Sequence, residues 1–167
     1  MGMLSKLTVE AECTFTGTSD LVTPTAPLDY LKRIDLTSGT GLGAADMVWA
    51  DTRTLAASAA ESLDLAGSLT GLLGGTVTFA RIKGVIVAAA SGNTNDVQVT
   101  RPASNGAPLF MAAGDGIALS PGEVFSWFSG TAAGKVVTAA TGDLLTLTNS
   151  AAGTSVTYDV VIIGASA

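Results

Sequence analysis

Hydrophobic and polar residues alternate through much of this chain, and a period of two is the signature of a half-buried strand. Leu7, Val9, Ala11, Cys13 and Phe15 share one face, opposite Thr8, Glu10, Glu12 and Thr14. Tyr30, Ile34 and Leu36 oppose Arg33 and Asp35, with Lys32 interrupting the apolar side. Further strands are predicted at 47–55, 58–65, 96–101, 107–112, 117–119, 123–128, 136–139, 144–148 and 155–163. In the last of these Val156, Tyr158, Val160 and Ile162 line one face while Val161 and Ile163 line the other, as in a central strand buried on both sides.

The longest run of strand-formers is 76–90, TVTFARIKGVIVAAA. It opens by alternating, then loses phase. Arg81 and Lys83 fall on the face that Val77 began, and beyond Gly84 both faces are apolar. A one-residue slip exchanges the two faces of a strand, so the break calls for a bulge or bend, and Gly84 marks the place. The stretch reads as one long bent strand that holds Arg81 and Lys83 on a surface. Residues 17–27, GTSDLVTPTAP, carry two prolines and no period, which predicts a linker. The chain therefore divides into an N-terminal strand and linker at 1–27 and a main domain at 28–167. The first strand reads either as an ordinary member of the sheet or as an arm that pairs with a neighbouring subunit. In the second reading Leu7, Val9 and Phe15 make the contact.

Roughly ten short strands with turn residues between them predict an all-β, two-sheet antiparallel sandwich of jelly-roll type. Composition agrees: 47% of residues are hydrophobic but only 5% aromatic, and 20 are glycine. That mix suits short strands and tight turns better than helices.

Composition also removes whole classes of chemistry. Without histidine there is no Ser-His-Asp or Cys-His catalysis and no His-ligated zinc. Cys13 is the only cysteine, so an intrachain disulfide is impossible, and a buried small hydrophobe is the expectation. A net charge of −6 and scattered basic residues argue against nucleic acid as a partner. The opening MGMLSKLTVEAE lacks an apolar leader, and no run approaches the roughly 18 apolar residues of a membrane span. A soluble chain made in a reducing cytoplasm, without a membrane partner, is expected.

Carboxylates are the remaining catalytic raw material, but Glu61 and Asp64, like Asp46 and Asp51, are spaced to diverge along a strand. The loop Gly39-Thr40-Gly41-Leu42-Gly43 lacks the lysine and following helix of a phosphate-binding loop. Ser91-Gly92-Asn93-Thr94-Asn95-Asp96 offers turn-forming oxygens but not a full calcium loop. Trp49, Trp127 and Tyr158 read as core rather than as a sugar-stacking platform. Asp51 and Arg53 share the face of Trp49, which places the pair at a sheet margin or a subunit contact. No enzyme, metal or cofactor is expected.

A set of segments resembles small virion proteins of tailed phages. They are Ile34-Asp35-Leu36-Thr37-Ser38-Gly39-Thr40-Gly41, Trp49-Ala50-Asp51-Thr52-Arg53-Thr54-Leu55, Leu63-Asp64-Leu65-Ala66-Gly67, Phe79-Ala80-Arg81-Ile82-Lys83, Gly92-Asn93-Thr94-Asn95, Ser120-Pro121-Gly122, and Thr157-Tyr158-Asp159-Val160 with Ile163-Gly164. The likeness covers 29–167 and is similar to jelly-roll cement or decoration proteins on the outer capsid surface. It implies a structural protein of the virion, made in the bacterial host cytoplasm. It also implies contacts with the major capsid protein and with copies of itself, as trimers or dimers. Arg81 and Lys83 then become expected polar contacts, with Asp51 and Arg53 beside them; the other reading has the two cations solvated or paired with Asp64 or Asp51. The competing reading is a jelly-roll module of a head fibre or tail that binds host carbohydrate.

Overall fold

The computed structural model describes residues 2–167, and among these every regular element is a strand. In chain order these are β1 (Ser5–Thr16), β2 (Thr25–Ser38), β3 (Ala44–Ala45), β4 (Met47–Leu55), β5 (Ala60–Asp64), β6 (Leu69–Thr70) and β7 (Thr76–Val77). They are followed by β8 (Arg81–Ala89), β9 (Val97–Thr100), β10 (Gly116–Leu119), β11 (Val124–Phe128), β12 (Lys135–Val136), β13 (Leu144–Asn149) and β14 (Val156–Ala165).

Two sheets form the body. One runs β11-β8-β14-β4, with β12 extending its edge along β8, and the other runs β10-β9-β13-β5. The pairing is nested and antiparallel: β4 with β14, β5 with β13, β8 with β11 and β9 with β10. The chain thus makes one long hairpin, folded over so that β14 also meets β8 and β13 also meets β9. The alternation read from the sequence decides what lies between the sheets. Trp49, Leu55, Val87, Tyr158, Val160 and Ile162 come from one inner face and Leu63, Val97, Val99, Leu145 and Leu147 from the other, all buried in a single cluster. β14 is central, as its two apolar faces predict.

The 76–90 stretch is two strands, not one. β7 pairs with β6, and β8 begins only at Arg81. At the break the backbone turns to other partners: Phe79 N–H donates to Leu65 O and Ala80 N–H to Ala165 O, each at 2.8 Å. The phase loss has the expected kind of cause, one residue earlier than Gly84. Ile163 pairs with Gly84 while Gly164 pairs with Ile82, so Lys83 is the extra residue of a bulge. Ile82, Val85, Val87 and Ala89 therefore all reach the core despite their broken spacing. Gly84 has a different task, which is to leave space on the outer face. A Cβ there would lie 3.2 Å from Leu7 Cδ1 and 3.4 Å from Phe128 Cδ1.

Four other expectations change. Residues 107–112 form turns rather than a strand, and the strand expected at 136–139 is reduced to β12. The linker expected at 17–27 ends at Pro24, and the boundary expected after residue 27 falls inside β2. β1 and β2 pair antiparallel from Ser5↔Leu36 to Thr16↔Thr25, so the first strand finds its partner within its own chain. The root of this hairpin packs on the outer face of the β11-β8-β14-β4 sheet. There Leu7, Leu36, Ala45 and Ile163 form a second buried cluster, joined by Ile34, Val48 and Phe128.

Replacing Gly84 by Val is expected to destabilise the protein by about 1–3 kcal/mol through overpacking beneath Leu7, although Val is the better strand-former. Equilibrium denaturation measures this, and a loss under about 0.5 kcal/mol would contradict the packing role.

Candidate functional site

The residues singled out from the sequence fall in three places: a buried lysine, a staple at the sandwich margin, and the projecting hairpin. Lys83 is fully buried, so it is not the surface contact that the sequence suggested. The bulge turns its side chain off the sheet and into the neighbouring loops. Its ammonium donates to the carbonyls of Thr131, of Ala132 at 2.7 Å and of Gly41 at 3.4 Å. Burial, with the nearby charge of Arg81, lowers its pKa from the ordinary lysine value. Arg81 is half-buried and its guanidinium approaches the Ala132 carbonyl at 3.4 Å. Both cations thus engage the loop at 131–132 of their own chain.

Asp51 and Arg53 lie at the sheet margin. β4 and β5 are edge strands of opposite sheets, and Arg53 on β4 reaches Glu61 on β5. Arg53 Nε donates to Glu61 Oε2 at 2.8 Å, and Arg53 Nη1 donates to Asp51 Oδ2 at 3.0 Å. The other Glu61 oxygen accepts the hydroxyl of buried Tyr158 at 2.5 Å. The hydrogen bond to Glu61 raises the Arg53 pKa, against a smaller opposing effect of burial. Burial first, and then Glu61, push the Tyr158 phenol well above its ordinary value. Both Glu61 oxygens are therefore committed, and the group closes the sandwich margin. Sequence spacing pairs Asp51 with Arg53, but nothing local in it points to Glu61 or Tyr158. Trp49 and Tyr158 are core residues, while Trp127 packs against the core with Lys135 Nζ 5.6 Å from its ring centre.

The loop 91–96 spends its polar groups on the adjoining strand and loop. Asn93 exchanges two hydrogen bonds with the Thr157 backbone, at 2.8 and 2.9 Å, and Asn95 Nδ2 donates to Asn149 Oδ1 at 2.9 Å.

The hairpin carries Leu7, Val9 and Phe15. Leu7 is buried at the root, but Val9 and Phe15 are exposed. Cross-strand register assigns every residue to a face. Val9, Ala11, Cys13 and Phe15 stand opposite Lys32, Tyr30, Leu28 and Ala26, which makes one side almost wholly apolar. Thr8, Glu10, Glu12 and Thr14 stand opposite Arg33, Leu31, Asp29 and Pro27, a mostly polar side. Glu10, Glu12 and Asp29 bring carboxylate oxygens within 4.8 Å of one another there, all in solvent. Cys13 is exposed, contrary to the expectation of a buried thiol, because the part of the hairpin beyond its root has no body beneath it.

No family model, curated protein or solved structure matches the chain.

The Tyr158–Glu61 bond sets a pH dependence. The folded protein holds the phenol proton more tightly than the unfolded chain, where tyrosine titrates at about 10.0. Its contribution is therefore full below that pH and is lost as pH rises beyond it. Tyr158→Phe is expected to be less stable by about 1–3 kcal/mol at neutral pH. In denaturation series the gap to the wild type should stay constant up to about pH 10 and narrow above it; parallel profiles would contradict the assignment.

Proposed function

We propose that this chain is a structural protein of a tailed-phage virion, a jelly-roll cement or decoration protein on the outer capsid surface. The observation that carries this reading is the hairpin: a body stapled at its margin holds out a ribbon with one apolar and one acidic face. Such a form suits work by contact rather than by chemistry. The nested pairing of eight body strands is what a long hairpin rolled into two sheets produces, and it supports the jelly roll. The engagement of Glu61 on both oxygens and the absence of histidine support a non-enzymatic role.

The mechanism is mechanical. The protein binds where major capsid subunits meet and buries area across their boundary. A contact of about 1,600 Å² is an ordinary specific size. Repetition over the shell lets modest affinity per site resist the pressure of packaged DNA, since linked contacts reinforce one another. The net charge of −6 suits a position outside the shell, away from that DNA.

The test uses expanded heads that lack this chain, mixed with the purified protein and sedimented. Binding is expected to saturate at a fixed ratio to the capsid subunit, and decorated heads should retain DNA at temperatures that open bare ones. Failure to co-sediment, or heads equally fragile with and without the protein, would refute the reading.

A further inference from the structure

The outer half of the hairpin poses a physical problem that the chain by itself leaves unsolved. A two-stranded ribbon is marginally stable in water unless its apolar face packs on something. The root solves this on the body through Leu7 and Leu36. Beyond it the same face continues outward with Val9 45%, Phe15 73%, Leu28 55% and Tyr30 55% exposed. We propose that this face packs against the same face of a second copy of the chain, so that hairpins of symmetry-related protomers bury one another.

Three observations select that occupant. The first is polarity. Apart from Lys32, opposite Val9, the outer apolar face carries no charge, while Glu10, Glu12 and Asp29 crowd the reverse. Two hairpins repel back to back and fit front to front, leaving both acidic sides in water. The second is closure. A face that meets its own copy is satisfied once the symmetric set is complete, whereas a hairpin laid on a different surface of the next copy continues into an open chain unless the rotation closes. The third is area. A whole aromatic side chain buries about 150–250 Å², so the exposed shares of Phe15 and Tyr30 amount to roughly 250 Å² per copy. Val9, Ala11, Cys13, Ala26 and Leu28 add a comparable amount, which brings two copies to roughly 1,000 Å², the threshold of a specific interface.

The outward edges of β1 and β2 need take no part. Pairing between β1 and β2 uses one edge of each, and the contact proposed here is face on face, distinct from the strand addition expected from the sequence. It also forms without a capsid, and so stands or falls independently of the virion reading.

The test uses the full chain in solution. Light scattering coupled to size exclusion, over a dilution series, should give the mass of two chains for the wild type and of one for Phe15→Asp/Tyr30→Asp. These positions are exposed in the single chain, so near-ultraviolet circular dichroism should show the body unchanged. Cys13, the only thiol and on the contact face, gives a second readout. Its maleimide labelling should be about tenfold slower in the concentrated wild type than in the double variant. A wild type that is monomeric throughout overturns the proposal, as does a multimer whose mass and Cys13 labelling the double substitution leaves unchanged. A monomer that still decorates heads would overturn this inference and leave the capsid reading intact.

Discussion

A single buried ammonium organises this structure. Lysine is almost never fully buried unless its charge is satisfied, because an unpaired ammonium away from water costs several kcal/mol. Lys83 meets that demand with the carbonyls of Gly41, Thr131 and Ala132, which belong to two loops remote from it in sequence. To reach them it leaves the sheet as the extra residue of a bulge, and the bulge resets the phase of β8. Gly84 then faces outward, where its missing side chain makes room for Leu7. The loop holding Gly41 lies between β2 and β3, so the same ammonium also ties down the root of the hairpin. Charge satisfaction, strand phase and the seat of the hairpin are thus one arrangement.

A second polar device closes the margin of the sandwich. Arg53 and Tyr158 converge on Glu61 where the edge strands β4 and β5 face one another. Removing one member leaves a half-satisfied network in a partly dry setting, which is why such groups specify geometry more than they add stability. Between the two devices lies an apolar core of small and medium side chains drawn from both sheets. The result is a body tied at two sides that can hold a ribbon clear of itself.

Much of the fold is legible in the sequence where burial is one-sided. The alternation of 47–55 matches β4 residue for residue, and the double-faced pattern of 155–163 announces the central β14. Asp51 and Arg53 on the face of Trp49 already point to a margin. The failures have physical causes. β2 is longer than its sequence pattern suggests because Pro27 sits inside it opposite Thr14, and a hairpin strand outside the body tolerates a proline that a central strand would reject. Cys13 follows the apolar alternation faithfully, but alternation reports which side a residue is on and not whether that side is covered. The burial of Lys83 is hidden for the complementary reason: its acceptors are backbone carbonyls, which leave no trace in residue identity. Glu61 meets Tyr158 only because the two sheets bring β5 and β14 together.

The most direct measurement of the coupling between Lys83 and the hairpin is native-state hydrogen exchange on the full chain with Lys83→Met. If the ammonium seats the hairpin, exchange should quicken at 39–43, at 129–132 and along the root of β1 and β2, while β9 and β13 keep their protection. Unchanged exchange at the hairpin root, with the effect confined to residues touching position 83, would contradict it.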